Sequence, residues 1–267
     1  MTRARFALAL ALALLPALLC APASAAPAGS LTGRVVVDGK PVAGAAVAAV
    51  PFEAPSRTAR RAARGEGEPK PLATASAGPD GAFVLAVPAV PGKETFFRVR
   101  VDAKRSVPSE LPGVFDPSET EDLGELVLRK GEPFAGRVTG PGGRPVPGAR
   151  VTLLARGRSG AASELGAIPA EATTGADGTF RFDAAAERNE IVVEAAGLAT
   201  TRISDARPGA PRTISLAAGA GLAGSVKLRD GKPAAGALVR FEGGGLETRW
   251  VETGADGAFR LADLPAR

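Results

Sequence analysis

The sequence predicts an all-β chain of tandem antiparallel β-sandwiches, two complete and one truncated. Three observations predict it. A two-part motif returns three times in the same order; short runs of apolar and polar residues alternate between Gly, Pro and Asp turns; and the third copy of the motif stops short of the strands that close the second.

The repeats set the frame. LTGRVVVDGKPVAGAAV at Leu31 to Val47 returns as FAGRVTGPGGRPVPGARV at Phe134 to Val151 and as LAGSVKLRDGKPAAGALV at Leu222 to Val239. Each copy reads apolar-x-Gly-x-Val, then a Gly-Lys/Arg-Pro turn, then Gly-Ala-x-x-Val or a close variant. A second element follows each: PDGAFVL, ADGTFRF and ADGAFRL. The stretch between the two elements differs in every copy, which marks a loop between strands. In the second element Phe83 and Leu85, Phe180 and Phe182, and Phe259 and Leu261 are spaced by two, so each pair shares one strand face. The same alternation sets Phe97, Val99 and Val101 against Arg98 and Arg100, and recurs at Ile191, Val193 and Ala195.

The Asp-Gly pairs at Asp80-Gly81, Asp177-Gly178 and Asp256-Gly257 raise three readings: a metal loop, a phosphate cradle or a turn. Calcium takes six to eight oxygens, far more than one carboxylate supplies. A phosphate-binding glycine loop opens a helix, and here a strand follows. An Asp that bonds its own backbone two residues on, followed by a Gly at positive φ, suits a tight hairpin turn. The Gly-Lys/Arg-Pro turns are read alike, with solvated cations at Lys40, Arg144 and Lys232.

At this point the motifs support a comparison. GRVVVDGKPVAGAAV with DGAFVL, and GRVTGPGGRPVPGARV with DGTFRF, resemble the carboxypeptidase regulatory-like domain. The resemblance implies a transthyretin-like, Ig-like sandwich of seven strands, grouped with carbohydrate-binding folds. DLGELVL at Asp122 to Leu128 looks like the family's last strand, and TISL at Thr213 to Leu216 like its counterpart. The peptidase that lends the family its name is a separate domain whose zinc ligands include His. This chain has no His, so no catalytic residue transfers.

The domain expectation follows: a signal peptide at 1–25, sandwich one at 26–130, sandwich two at 131–218 and a partial sandwich three at 219–267. Arg3 and Arg5 precede the apolar run FALALALALLPALLCA, and Ala23-Ser24-Ala25 supplies a small-x-small cleavage site. The mature chain is therefore expected to be exported to the periplasm, the cell surface or the medium. No other segment approaches the roughly 18 apolar residues of a spanning helix. Cys20, the single cysteine, is read as discarded with the leader, because Leu19 before it is a poor fit to a lipoprotein signal. Without Cys20 no disulfide is available.

Absence of His and Tyr excludes a Ser-His-Asp triad, a His-containing zinc site and histidine acid–base chemistry. Loss of Arg3 and Arg5 reduces the 33 basic residues by two against 28 acidic ones, a net charge of +3. That is weak support for a polyanion, and no nucleic-acid partner is expected. An enzyme with paired carboxylates is disfavoured because Asp and Glu fall in turns, linkers and insertions. The reading is a non-catalytic structural, adhesion or binding module with no cofactor or metal, its partner a cell-surface polysaccharide or an envelope protein.

Two segments depart from the repeat. FEAPSRTARRAARGEGEPKP, Phe52 to Pro71, is a long basic insertion expected to be a solvated loop. If helical, it would place Arg57, Arg60, Arg61 and Arg64 on one face as ligands for a polyanionic surface. Ala155 to Glu171 is its milder counterpart in repeat two. The third copy lacks about three strands. A longer array, a completing partner, or packing of the half-repeat on repeat two would each resolve this, and the first is the expectation. Short links at Arg129–Glu132 and Ala217–Gly221 suggest a semi-extended rod. Trp250 is the one Trp and the weak candidate for stacking on a sugar, with Phe52 or Phe115 needed to complete a platform.

Overall fold

The computed structural model describes residues 29–88, 96–156, 165–209, 211–242 and 248–264. The expectations for the leader, its cleavage site and Cys20 lie outside the described residues.

Repeat one contains β1 (Gly29–Val37), β2 (Lys40–Pro41), β3 (Ala46–Pro51), helix α1 (Pro55–Ala63), β4 (Ala73–Ser76), β5 (Ala82–Val87), β6 (Phe97–Asp102), β7 (Ser109–Glu110) and β8 (Glu121–Leu128). One sheet holds β2, β1 and β5, with β8 paired parallel to β1; the other runs β7-β6-β3-β4. Inward residues of both sheets meet in one core. Leu31, Val35, Val47, Leu85, Phe97, Val99 and Val101 are each at most 1 % exposed. Apolar burial of this kind is the main stabilising term.

Repeat two reuses the plan with β9 (Glu132–Thr139), β10 (Arg150–Ala155), β11 (Gly166–Ala167), β12 (Ala170–Thr173), β13 (Thr179–Ala185), β14 (Asn189–Ala195), β15 (Leu198–Ala206) and β16 (Arg212–Ser215). Its sheets are β13-β9-β16 and β12-β10-β14-β15, around Phe134, Val138, Val151, Phe180, Ile191 and Val193. Repeat three has β17 (Ala220–Ser225), β18 (Leu238–Phe241), β19 (Arg249–Glu252) and β20 (Ala258–Leu264), paired as β17-β20 and β18-β19. These match the first four strands of each complete repeat, and the counterparts of the closing three are missing among the described residues.

The glycine of the first motif is bound to the phenylalanine of the second. Gly33 pairs with Phe83, Gly136 with Phe180 and Gly224 with Phe259 across the β-ladder. In each case the ring lies on the glycine: an added Cβ would stand 3.0, 2.5 and 2.8 Å from a ring carbon. The two halves of the repeat motif therefore recur together because one is the seat of the other.

The Asp-Gly element is a turn, as its chemistry requires, but not a hairpin. Asp80, Asp177 and Asp256 each accept from the backbone N–H two residues on, at 3.1, 3.0 and 3.0 Å. The glycines that follow have φ of +79°, +78° and +74°. Yet β4 and β5 belong to different sheets, as do β12 and β13, and β19 and β20. The turn crosses between layers because the carbonyls of Gly81, Gly178 and Gly257 accept from Val35, Val138 and Val226, pinning each turn to the first strand of its repeat.

Neither insertion stays within its own repeat. From repeat two, β11 pairs antiparallel with β7 and extends the second sheet of repeat one, while Leu165, 4 % exposed, enters the core of repeat one. From repeat one, α1 lies against β19 of repeat three. Repeats one and three therefore touch, which corrects the expectation of a semi-extended rod.

Candidate functional site: a cleft where three repeats meet

The insertion expected as a solvated loop is helical over Pro55–Ala63. Pro55 suits the first turn, where its missing N–H leaves no bond unmade. No side chain caps the N-terminus and no acidic residue lies in the first turn. A nine-residue helix so equipped is marginal in water, so its stability comes from tertiary contact. Ala59 is 6 % exposed and makes part of that contact.

The arginines supply the rest. Arg60 Nη1 donates to Glu252 Oε1 at 2.6 Å and Arg64 Nε to Glu252 Oε2 at 2.9 Å, one guanidinium on each carboxylate oxygen. Arg61 turns back on its own segment, donating to Glu53 Oε2 at 2.9 Å and the Gly67 carbonyl at 2.8 Å. Arg57 is exposed and makes no ion pair among the described residues. The four do not form a common polyanion surface: two grip repeat three, one folds inward and one faces solvent.

Glu252 was missed by sequence reasoning, although a signal existed. The other repeats place Ser76 and Thr173 at its position, and only the third carries a carboxylate there. The hydrogen bond from Arg64 holds the Glu252 carboxyl below the ordinary carboxylate range, with the charges of Arg64 and then Arg60 adding to it and desolvation opposing. A carboxyl depressed in the folded state stabilises above its unfolded value, and that contribution is lost as pH falls through the folded one. Contact of α1 with repeat three is accordingly expected to weaken below about pH 4. Amide-exchange protection over 55–63, measured at neutral pH and at about pH 3.5, checks this, and Glu252→Gln should abolish the pH step. Equal protection at both would show that Ala59 packing alone holds the helix.

Beside this latch lies a cleft of about 550 Å³ lined by all three repeats, including Ala62 and Gly65, Arg150 and Glu194, and Arg249, Trp250 and Arg260. Three of its charges form one cluster. Glu194 accepts from Arg150 and from Arg249, and Arg249 also donates to Thr200 Oγ1 at 3.0 Å. Asp263 accepts from the Gly197 N–H at 2.6 Å. Among the described residues no three of His, Cys, Asp and Glu gather in a metal-ligating group, and no helix is long and apolar enough to cross a membrane.

Trp250 is half-buried, and the guanidinium of Arg240 stands over its ring at 5.9 Å from the centroid, a cation–π contact. It also lines a smaller groove of about 340 Å³ with Phe52, Ala59 and Arg98. Phe52 is 48 % exposed, so two of the named aromatic residues share that groove. Phe115, at 9 % exposure, stacks on Phe97 in the core of repeat one.

Comparison with known proteins supports the sequence resemblance. Residues 134–218 match the family model of the carboxypeptidase regulatory-like domain. No curated protein matches the chain. Among solved structures, the chain is similar to the Bacillus anthracis TIE protein at 14 % identity and a TM-score of 0.25, covering 88 % of this chain and 43 % of that one. It is similar also to a streptococcal ancillary pilin, at 14 % identity and a TM-score of 0.25, over 89 % of this chain and 87 % of the other. A DUF3823 family protein from Parabacteroides merdae aligns at 14 % identity and a TM-score of 0.24, over 63 % and 90 %. Superpositions this loose say nothing about shared function.

Proposed function

We propose that the chain is an exported, non-catalytic β-sandwich repeat protein that serves as a structural, adhesion or binding module at the cell envelope. The observation that carries this reading is the interlocking of the repeats. Each insertion, the segment in which a sandwich usually places functional loops, is engaged by a neighbouring repeat: β11 in the sheet of repeat one and α1 on repeat three. The carboxylates Glu194 and Asp263 of the cleft hold the repeats together, which suits a rigid spacer better than a reaction site. Expression of the full sequence with a C-terminal tag tests the reading. The product is expected outside the cytoplasm, to begin at Ala26, and to bind isolated envelopes; retention in the cytoplasm with an intact leader would overturn it. Turnover of a peptide, ester or glycoside substrate that survives purification would overturn the non-catalytic assignment.

A second reading, a carbohydrate-binding module, has one observation in its favour: Phe52 and Trp250 face a common groove. Trp250 is the single Trp and lines both the groove and the larger cleft, so its fluorescence reports the two, and Phe52, which lines the groove, tells them apart. Saturable quenching by a polysaccharide, lost in Phe52→Ala, would select this reading; an unaltered spectrum across a polysaccharide panel would remove it.

A further inference from the structure

Aromatic side chains are displayed at one place on this protein. Among the described residues Phe52 and Phe96 are the two exposed phenylalanines, at 48 % and 42 %, and the rest are buried or half-buried. They lie side by side where β3 ends and β6 begins, with the Phe52 N–H donating to the Phe96 carbonyl at 2.8 Å. Pro51 stands opposite Phe97, which points into the core, so Phe52 and Phe96 both turn outward. Phe52 also lines the groove of about 340 Å³, whose walls include Ala59 and Ala62 of α1 and Trp250 of β19.

Trp250 owes this place to its own strand and not to the strands that repeat three lacks. Its counterparts, Thr74 on β4 and Glu171 on β12, are exposed, while the alternate residues Ala73, Ala75, Ala170 and Ala172 pack on the cores. The outward face of β19 therefore carries an indole where the complete repeats carry Thr and Glu. Phe96, Phe52 and Trp250 together make an aromatic strip on the outside of repeats one and three, and exposed apolar groups gathered in this way mark a ligand surface.

The groove also holds a cation that its surroundings only partly satisfy. Arg98 lines it, with Nη1 donating to Glu110 Oε1 at 3.0 Å, and Glu110 is shared with Arg100 through its other oxygen at 2.9 Å. Arg98 Nε is buried without a hydrogen-bond partner. Nη2 makes no hydrogen bond among the described residues and, with the side chain 33 % exposed, is open to solvent. Among the described residues the carboxylate in the wall is Glu53, which Arg61 holds at 2.9 Å. The unmet charge of the groove is therefore positive.

On the carbohydrate-binding reading, we propose that this strip binds an extended acidic glycan, a chain of hexuronate units. Pyranose rings stack on Phe52 and Trp250 through their C–H faces, and a ring carboxylate is received by Arg98 Nη2. Phe96 extends the platform past the groove, so more than one ring of a chain is held. Because Phe52 and Arg98 belong to repeat one and Trp250 to repeat three, the bound chain also ties those repeats together.

The probes are oligomers of galacturonate and of mannuronate, their methyl esters, and polyglutamate. Each is titrated calorimetrically against the full mature chain, with Trp fluorescence recorded in parallel. The expected result is saturable binding of an acidic oligomer, about tenfold weaker binding of its ester, in line with losing one charge-assisted hydrogen bond, and no binding of polyglutamate. Arg98→Gln should remove the preference for acid over ester while leaving ester binding unchanged. Phe52→Ala and Phe96→Ala should weaken both oligomers without lowering the melting temperature, because both rings are already exposed. Lys227→Gln, an exposed cation of repeat three outside the groove, should change nothing. Equal affinity for acid and ester would overturn the acidic class and leave the carbohydrate reading standing, whereas binding of none of the oligomers would end both. Polyglutamate bound as tightly as the acidic oligomer, or an equal loss with Lys227→Gln and Arg98→Gln, would assign the binding to net charge and overturn the proposal.

Discussion

Gly136→Ala is expected to lower the melting temperature of the protein by roughly 6–12 °C, whereas Gly224→Ala, the same change one repeat later, is expected to shift it far less. The added methyl at Gly136 would stand 2.5 Å from Phe180 Cζ and 2.6 Å from the backbone carbonyl oxygen of Arg212. The ring could tilt, but the carbonyl belongs to β16, whose parallel pairing with β9 closes the sandwich. Relief therefore requires moving a strand, a cost at the upper end of overpacking, on the order of 3 kcal/mol. At Gly224 the methyl meets Phe259 ring carbons at 2.8 and 2.9 Å and no backbone atom. That ring is half-buried, and among the described residues no second strand flanks β17, so it can give way. Paired calorimetric scans of the two variants check the difference. Equal large losses would mean that a strand covers β17 in solution.

The second large effect concerns Glu190, whose side chain is 3 % exposed between Arg156 and Arg202. Replacing both arginines with Met should cost about 3–5 kcal/mol, because a carboxylate is then left buried without its cationic partners. Adding Glu190→Met to that double variant should recover most of the loss, since a neutral triplet has no charge to desolvate. Chemical denaturation of the three proteins at neutral pH provides the comparison. A double variant as stable as the parent would show that Glu190 finds water or another donor.

The strands were legible because they are local. Phe83 and Leu85 alternate with outward-facing Ala82 and Val84, Phe180 and Phe182 with Thr179 and Arg181, and the four are buried as that period of two requires. Repetition added what periodicity alone lacks, since three copies of one motif separate constant strands from variable loops. The long-range partners were not legible. A nine-residue helix with three arginines, a fourth at its C-cap and no side-chain N-cap has no intrinsic claim to order, and it forms because Glu252, 188 residues after Arg64, lies where the chain brings it. Gly166 and Ala167 make a strand of two residues whose only reason to be extended is the edge of β7. Of the residues named as ligand candidates, Arg60, Arg64 and Trp250 do lie at the junction of repeats, with Arg60 and Arg64 in internal ion pairs. Glu194 and Glu252, which organise that junction, carry no motif and are recognised only by what surrounds them.

The parallel pairing of first and last strands has a mechanical consequence. In repeat one, β1 enters and β8 leaves side by side and in the same direction. Tension between the segment before Gly29 and the segment after Leu128 therefore slides the two strands along each other, loading their hydrogen bonds together. Repeat two shares this shear geometry through β9 and β16. Among the described residues of repeat three the first and last strands are β17 and β20, which run antiparallel, so a pull on the segment before β17 against the end of β20 peels bonds one after another. Under load the complete repeats would hold while the third opened first, like a weak link placed in series with two strong ones.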